Sequence, residues 1–100
     1  MEKWKIEVMN RYIDSILSNE KYNINSCKMD ENYILLISEK DKIKTTLTLD
    51  YYPNEFKLMI TQISPNNLKS KKRVLMKTIV FGTDAIIRNI EKYFIPNIME

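Results

Sequence analysis

The sequence predicts an α+β fold: an N-terminal helix, an antiparallel meander of four to five strands, and a C-terminal helix, both helices packed on one sheet face. Three observations carry this. Residues 42–51 alternate strictly, with Ile43, Thr45, Leu47, Leu49 and Tyr51 in one phase and Lys42, Lys44, Thr46, Thr48 and Asp50 in the other. Period two with β-branched enrichment marks a strand with one buried and one wet face. Residues 2–19 and 84–94 instead carry apolar stripes at helical spacing.

In chain order, the first helix puts Ile6, Val8, Met9, Tyr12, Ile13, Ile16 and Leu17 on one side and Lys3, Glu7, Asn10, Arg11, Asp14 and Ser18 on the other. Trp4 falls at the margin, where it is expected to lap over the core's edge. Residues 22–30 read as an edge strand whose phase changes between Tyr22/Ile24 and Cys27/Met29, which a bulge near Asn25-Ser26 would reconcile. Residues 32–39 form the next strand, apolar in both phases (Tyr33, Leu35, Ile37 against Ile34, Leu36), as a central or two-side-covered strand would be. Residues 39–41 turn the chain without glycine, which argues for a loop longer than a tight primed turn.

Residues 55–63 repeat the alternation, with Phe56, Leu58 and Ile60 against Lys57, Met59 and Thr61. Tyr52-Pro53-Asn54-Glu55 joins this strand to its predecessor: proline presets φ and asparagine tolerates the next turn position. Residues 64–81 admit two readings. Ser64-Pro65 has the chemistry of a helix start, whereas residues 73–81 have strand composition. The β-branched residues favour an exposed loop over 64–72 and then a fifth strand. Gly82-Thr83-Asp84 opens the last helix, with Thr83 or Asp84 capping it. Its stripe is Ile86, Ile87, Ile90, Tyr93 and Phe94. Pro96 stops it at or before Ile95 and leaves 97–100 as a frayed tail. With both helices on one face, Lys44, Thr46, Thr48, Lys57 and Thr61 are left on an open polar face.

One hundred residues make one domain, and 44% hydrophobic residues suffice for its core. A net charge of +3 is only mildly basic, which weighs against a dedicated nucleic-acid binder. The chain opens on charged residues, not an apolar signal segment, and no run could span a membrane, so a soluble cytoplasmic protein is expected. Abundant isoleucine, lysine and asparagine have AT-rich codons and suggest a low-GC genome, bacterial or viral.

Chemistry is sparse. Histidine is absent, removing the commonest general base and metal ligand. The lone Cys27 has no imidazole partner and reads as a buried or half-buried structural residue, able to act as a nucleophile only if Lys28 lowered its pKa. Asp30, Glu31, Glu39 and Asp41 sit in two turns, where carboxylates are ordinarily solvated turn formers rather than cation ligands. Gly82 is the single glycine, which excludes a glycine-rich phosphate loop. Neither catalysis nor a cofactor or metal is expected.

The distinctive charge feature is Lys69, Lys71, Lys72 and Arg73, with Lys44 and Lys57 on the open face. A basic loop can meet phosphates, though lysine-rich coding alone would also produce a solvated one. Helix–meander–helix order resembles small secretion chaperones, immunity proteins and phage-encoded inhibitors in architecture only. The expected function is a non-catalytic protein-binding module, an inhibitor or accessory protein of a phage or mobile element. The alternative is a nucleic-acid-binding module built on residues 69–73. The doubly apolar strand also leaves a homodimer open.

Overall fold

The computed structural model describes residues 1–64 and 71–100 and has the expected class. Helix α1 (Lys3–Leu17) precedes five antiparallel strands: β1 (Ser26–Met29), β2 (Tyr33–Lys40), β3 (Ile43–Tyr51), β4 (Phe56–Ser64) and β5 (Lys71–Val80). Helices α2 (Thr83–Tyr93) and α3 (Ile95–Ile98) follow. The sheet order is β1-β2-β3-β4-β5, so every connection is a hairpin between neighbours.

Period-two alternation decides which face is buried. Ile34, Leu36, Leu47, Leu49, Phe56, Leu58 and Ile60 point to the inner face and are fully buried. Met9, Ile13 and Ile16 of α1, Ile86 and Ile90 of α2, and Phe94 and Ile98 close the core over them. Register pairs these apolar residues across the strands, Ile34 with Leu49, Leu36 with Leu47, and Leu47 with Ile60. Trp4 is 53% exposed and donates to Glu2, so it does not cap the core as its position on the helical wheel suggested.

Several local expectations are corrected. The β2–β3 connection is a tight turn after all: Asp41 and Lys42 adopt φ of 54° and 67°, the two left-handed positions of a primed turn. Non-glycine residues there accept strain that the pairing of Lys40 with Ile43 holds in place. The bulge lies in β5, not near Asn25-Ser26. Ile60 pairs Met76 while Thr61 pairs Val74, so Leu75 is the extra residue. β1 is short, and Tyr22 instead forms an isolated bridge with Met99.

The cap of α2 is Gly82, with no side-chain bond from Thr83 or Asp84. α2 ends at Tyr93, before Ile95 as Pro96 requires, but the residues after it are not a frayed tail: Pro96 occupies the first turn of α3, where a missing N–H costs nothing. The chain end is tied down. Ile98 is buried, Asn23 N donates to Ile98 O at 2.8 Å, and Glu100 N donates to Lys21 O at 2.9 Å. A polar seam fastens this end to the sheet: Gln62 Nε2 donates to Asn97 Oδ1 at 2.8 Å and to Thr45 Oγ1 at 3.3 Å, and Asn97 Nδ2 donates to Tyr93 O at 2.8 Å.

Candidate functional site

With the helices on the inner face, the outer face lies uncovered among the described residues, and strand register gives its layout. One row reads Lys28, Leu35, Thr48, Met59, Lys77 across the sheet. The next reads Ser26, Ile37, Thr46, Thr61, Val74, although Thr61 is buried and so is not the open hydroxyl expected of it. Toward one end come Tyr33, Asp50, Lys57 and Ile79, and toward the other Glu39, Lys44, Ile63 and Lys72. An apolar centre of Leu35, Ile37 and Met59 is therefore framed by lysines, with Asp50 and Glu39 as the acids. It is less polar than the threonines and lysines of β3 alone implied.

The predicted cations divide. Lys44 and Lys72 both flank Ile63 on the outer face, about 10 Å apart at ordinary strand spacing. Lys57 lies at the far end of β4, about 20 Å along the strand from that pair. Lys71 and Lys72 belong to β5 rather than to a loop, so the expected loop boundary at 72 is corrected. Lys71 and Arg73 point to the opposite face from Lys72, since Arg73 pairs Gln62, whose side chain reaches the helix side. Lys69 lies outside the described residues. Sequence reasoning did not single out Lys28 or Lys77 as binding residues, because register and the bulge in β5 decide which face they take. Lys28 Nζ stands 5.7 Å from the Tyr33 ring, and hydrogen bonding to Tyr33 raises its ammonium pKa.

β5 is also an edge. It spans ten residues, of which Lys71, Lys72, Arg73, Val74, Lys77 and Ile79 are exposed. Val74 is 53%, Ile79 55% and the following Phe81 63% exposed. The opposite edge, β1, has four residues.

Elsewhere the surface offers little chemistry. A cleft of about 470 Å³ between α1 and the C-terminal helices is lined by Tyr12, Ser15, Asn19, Tyr22 and Glu91 among others. Burial, with Glu91 alongside, pushes the Tyr12 phenol well up. Such a phenol stays protonated at neutral pH and cannot act as a base. Cys27 is exposed on β1 rather than buried or half-buried as expected, yet partial desolvation and the nearby Asp14 raise its thiol, which disfavours the nucleophilic thiolate. Asp30 Oδ1 accepts from Asn32 N at 2.7 Å and Tyr33 N at 3.0 Å, so this carboxylate closes the β1–β2 turn. Among the described residues no group of three His, Cys, Asp or Glu side chains could hold a metal ion. No helix among them is long and apolar enough to cross a membrane. Comparison with protein-family models, with curated proteins and with solved structures found no match.

Proposed function

We propose that the chain is a small non-catalytic binding module that covers or accompanies a protein partner through the outer sheet face and the β5 edge. The observation that carries this is the one-sided packing: every helix lies on the inner face, while Leu35, Ile37, Met59, Val74 and Ile79 share the outer one. An apolar centre with a charged rim is the anatomy of a protein interface. The composition of the chain suits an inhibitor or accessory protein of a phage or mobile element acting in the cytoplasm.

A nucleic-acid reading draws on Lys44, Lys71, Lys72 and Arg73, to which Lys77 adds. It has less support: these cations fall on both sides of β5, and the aromatic that the strands place on the outer face is Tyr33. Base recognition ordinarily stacks on several exposed rings.

Capture from a low-GC host lysate, with and without nuclease, tests the choice. The expected result is a nuclease-resistant protein partner that is lost with Met59→Glu/Ile79→Glu. Recovery that collapses on nuclease treatment would overturn it.

A further inference from the structure

We propose that β5 takes an extended, acidic segment of another protein as a sixth strand of the sheet. The inference rests on the protein-binding reading above and names the chemistry of the partner. Among the described residues β5 ends the strand order, so alternate N–H and C=O groups along it, about five residues' worth, have no partner in the sheet. At ten residues it is long enough to receive a strand of ordinary length, whereas the four residues of β1 are not.

Charge selects the occupant. Lys71, Lys72, Arg73 and Lys77 lie on this strand and no acid does. From Phe56 to Thr83 the chain has six cations and no acid, against ten cations and thirteen acids in the remainder. The modest net charge thus conceals a strongly basic hairpin on a mildly acidic body. A second copy pairing along β5 would bring these cations against their own kind, which edge lysines are known to prevent. An acidic strand meets no such barrier.

The bulge fixes the pattern the partner needs. On the outer face β5 presents Lys72, Val74, Lys77 and Ile79, with Lys71 and Arg73 on the other side and Leu75 inserted between the two phases. The complementary segment therefore has acids clustered against residues 71–73, another against Lys77, and apolar residues facing Val74 and Ile79.

The test pans the immobilised full chain against a random 12-residue peptide library displayed on phage. Recovered peptides are then synthesised and titrated by fluorescence polarisation. The expected peptides are rich in Asp and Glu interleaved with Val and Ile. Their affinity should fall at least tenfold with Lys71→Glu/Lys72→Glu/Arg73→Glu/Lys77→Glu. It should fall as far when alternate peptide amides are N-methylated, which removes strand hydrogen bonds, leaves every charge, and leaves the protein untouched. Recovery of no peptide, recovered peptides without acidic bias, or affinity indifferent to N-methylation would each overturn the proposal. So would sedimentation of the chain as a dimer that the charge reversal dissociates. If N-methylation has no effect but nuclease-resistant capture still depends on Met59 and Ile79, strand addition fails and the protein-binding reading stands. If RNA or DNA is the sole ligand, both fall.

Discussion

Replacing Tyr51 by phenylalanine should stabilise the protein, and more so in alkali. Tyr51 ends β3 and packs edge-on against Phe56, ring centroids 5.7 Å apart at 73°. Its hydroxyl oxygen is buried without a hydrogen-bond partner among the described residues. An orphaned buried polar group costs about 1–3 kcal/mol, and phenylalanine keeps the ring contact while deleting that group. Because the residue is half-buried, the lower end applies: a gain of about 1 kcal/mol at pH 7, or roughly 4–8 °C in Tm for a domain of this size.

Alkali adds a second readout. Burial pushes the Tyr51 phenol from its ordinary 10.0 up to about 12. The unfolded chain ionises this group near pH 10 while the folded chain holds the proton to about 12. Its contribution is therefore fully present below pH 10 and lost as pH rises through 12. At about 1.4 kcal/mol per pH unit the ceiling is near 2.7 kcal/mol, and partial exposure reduces it to about 1–2 kcal/mol. Urea melts followed by circular dichroism at intervals from pH 7 to 12 should show Tyr51→Phe ahead throughout, with the gap widening above pH 10. A variant less stable at neutral pH would mean that the hydroxyl has a partner in solution. A gap that stays constant would mean that burial does not hold the proton.

Lys42→Gly should gain about 1 kcal/mol in urea melts, since glycine adopts φ near 67° without the left-handed penalty. Leu47→Ala, at a fully buried site on the central strand, should cost about 2–5 kcal/mol. Ile79→Ala on the open face should change stability by no more than about 0.5 kcal/mol. Equal losses at the two sites would contradict the assignment of faces. Asn97→Ala should cost about 1–2 kcal/mol and raise amide hydrogen exchange across α3, because Asn97 links Gln62 to Tyr93 O. Cys27, though exposed, should react with a disulfide reagent at pH 8 more slowly than in urea, because its raised pKa leaves less thiolate.

Where one physical signal dominated, the sequence was transparent. The alternation of Ile43 to Tyr51 could satisfy only a half-buried strand, and the stripe from Ile86 to Phe94 only a helix on a core. What stayed hidden depended on backbone choices that side chains do not announce. Asp41 and Lys42 give no sign of positive φ, because the usual marker is glycine. Val74, Leu75 and Met76 are apolar in succession, so neither phase stands out and the bulge between them is invisible. Pro96 announces that one helix ends before it but not that another opens on it, and the short α3 is held by the buried Ile98. Lys71 and Lys72 looked like loop because charge is rare in central strands; at an edge, charge is admissible.

The candidate surface was half legible for a related reason. Leu35 and Ile37 declared themselves by breaking the alternation of β2, but their neighbours are set by register, which sequence leaves open. Only pairing shows that Leu35 shares a row with Met59 and that Lys28 and Lys77 bracket it. Codon usage can explain why lysine is abundant, but it acts on every segment alike. It offers no reason for aspartate and glutamate, thirteen in the chain, to avoid Phe56 to Thr83 altogether. Solubility does not require that either, since interspersed charges of both signs serve it better than a single-sign patch. A long edge of one sign deters a like copy and attracts an unlike strand, so the segregation of charge along β4 and β5 is what the proposed acidic strand would complement.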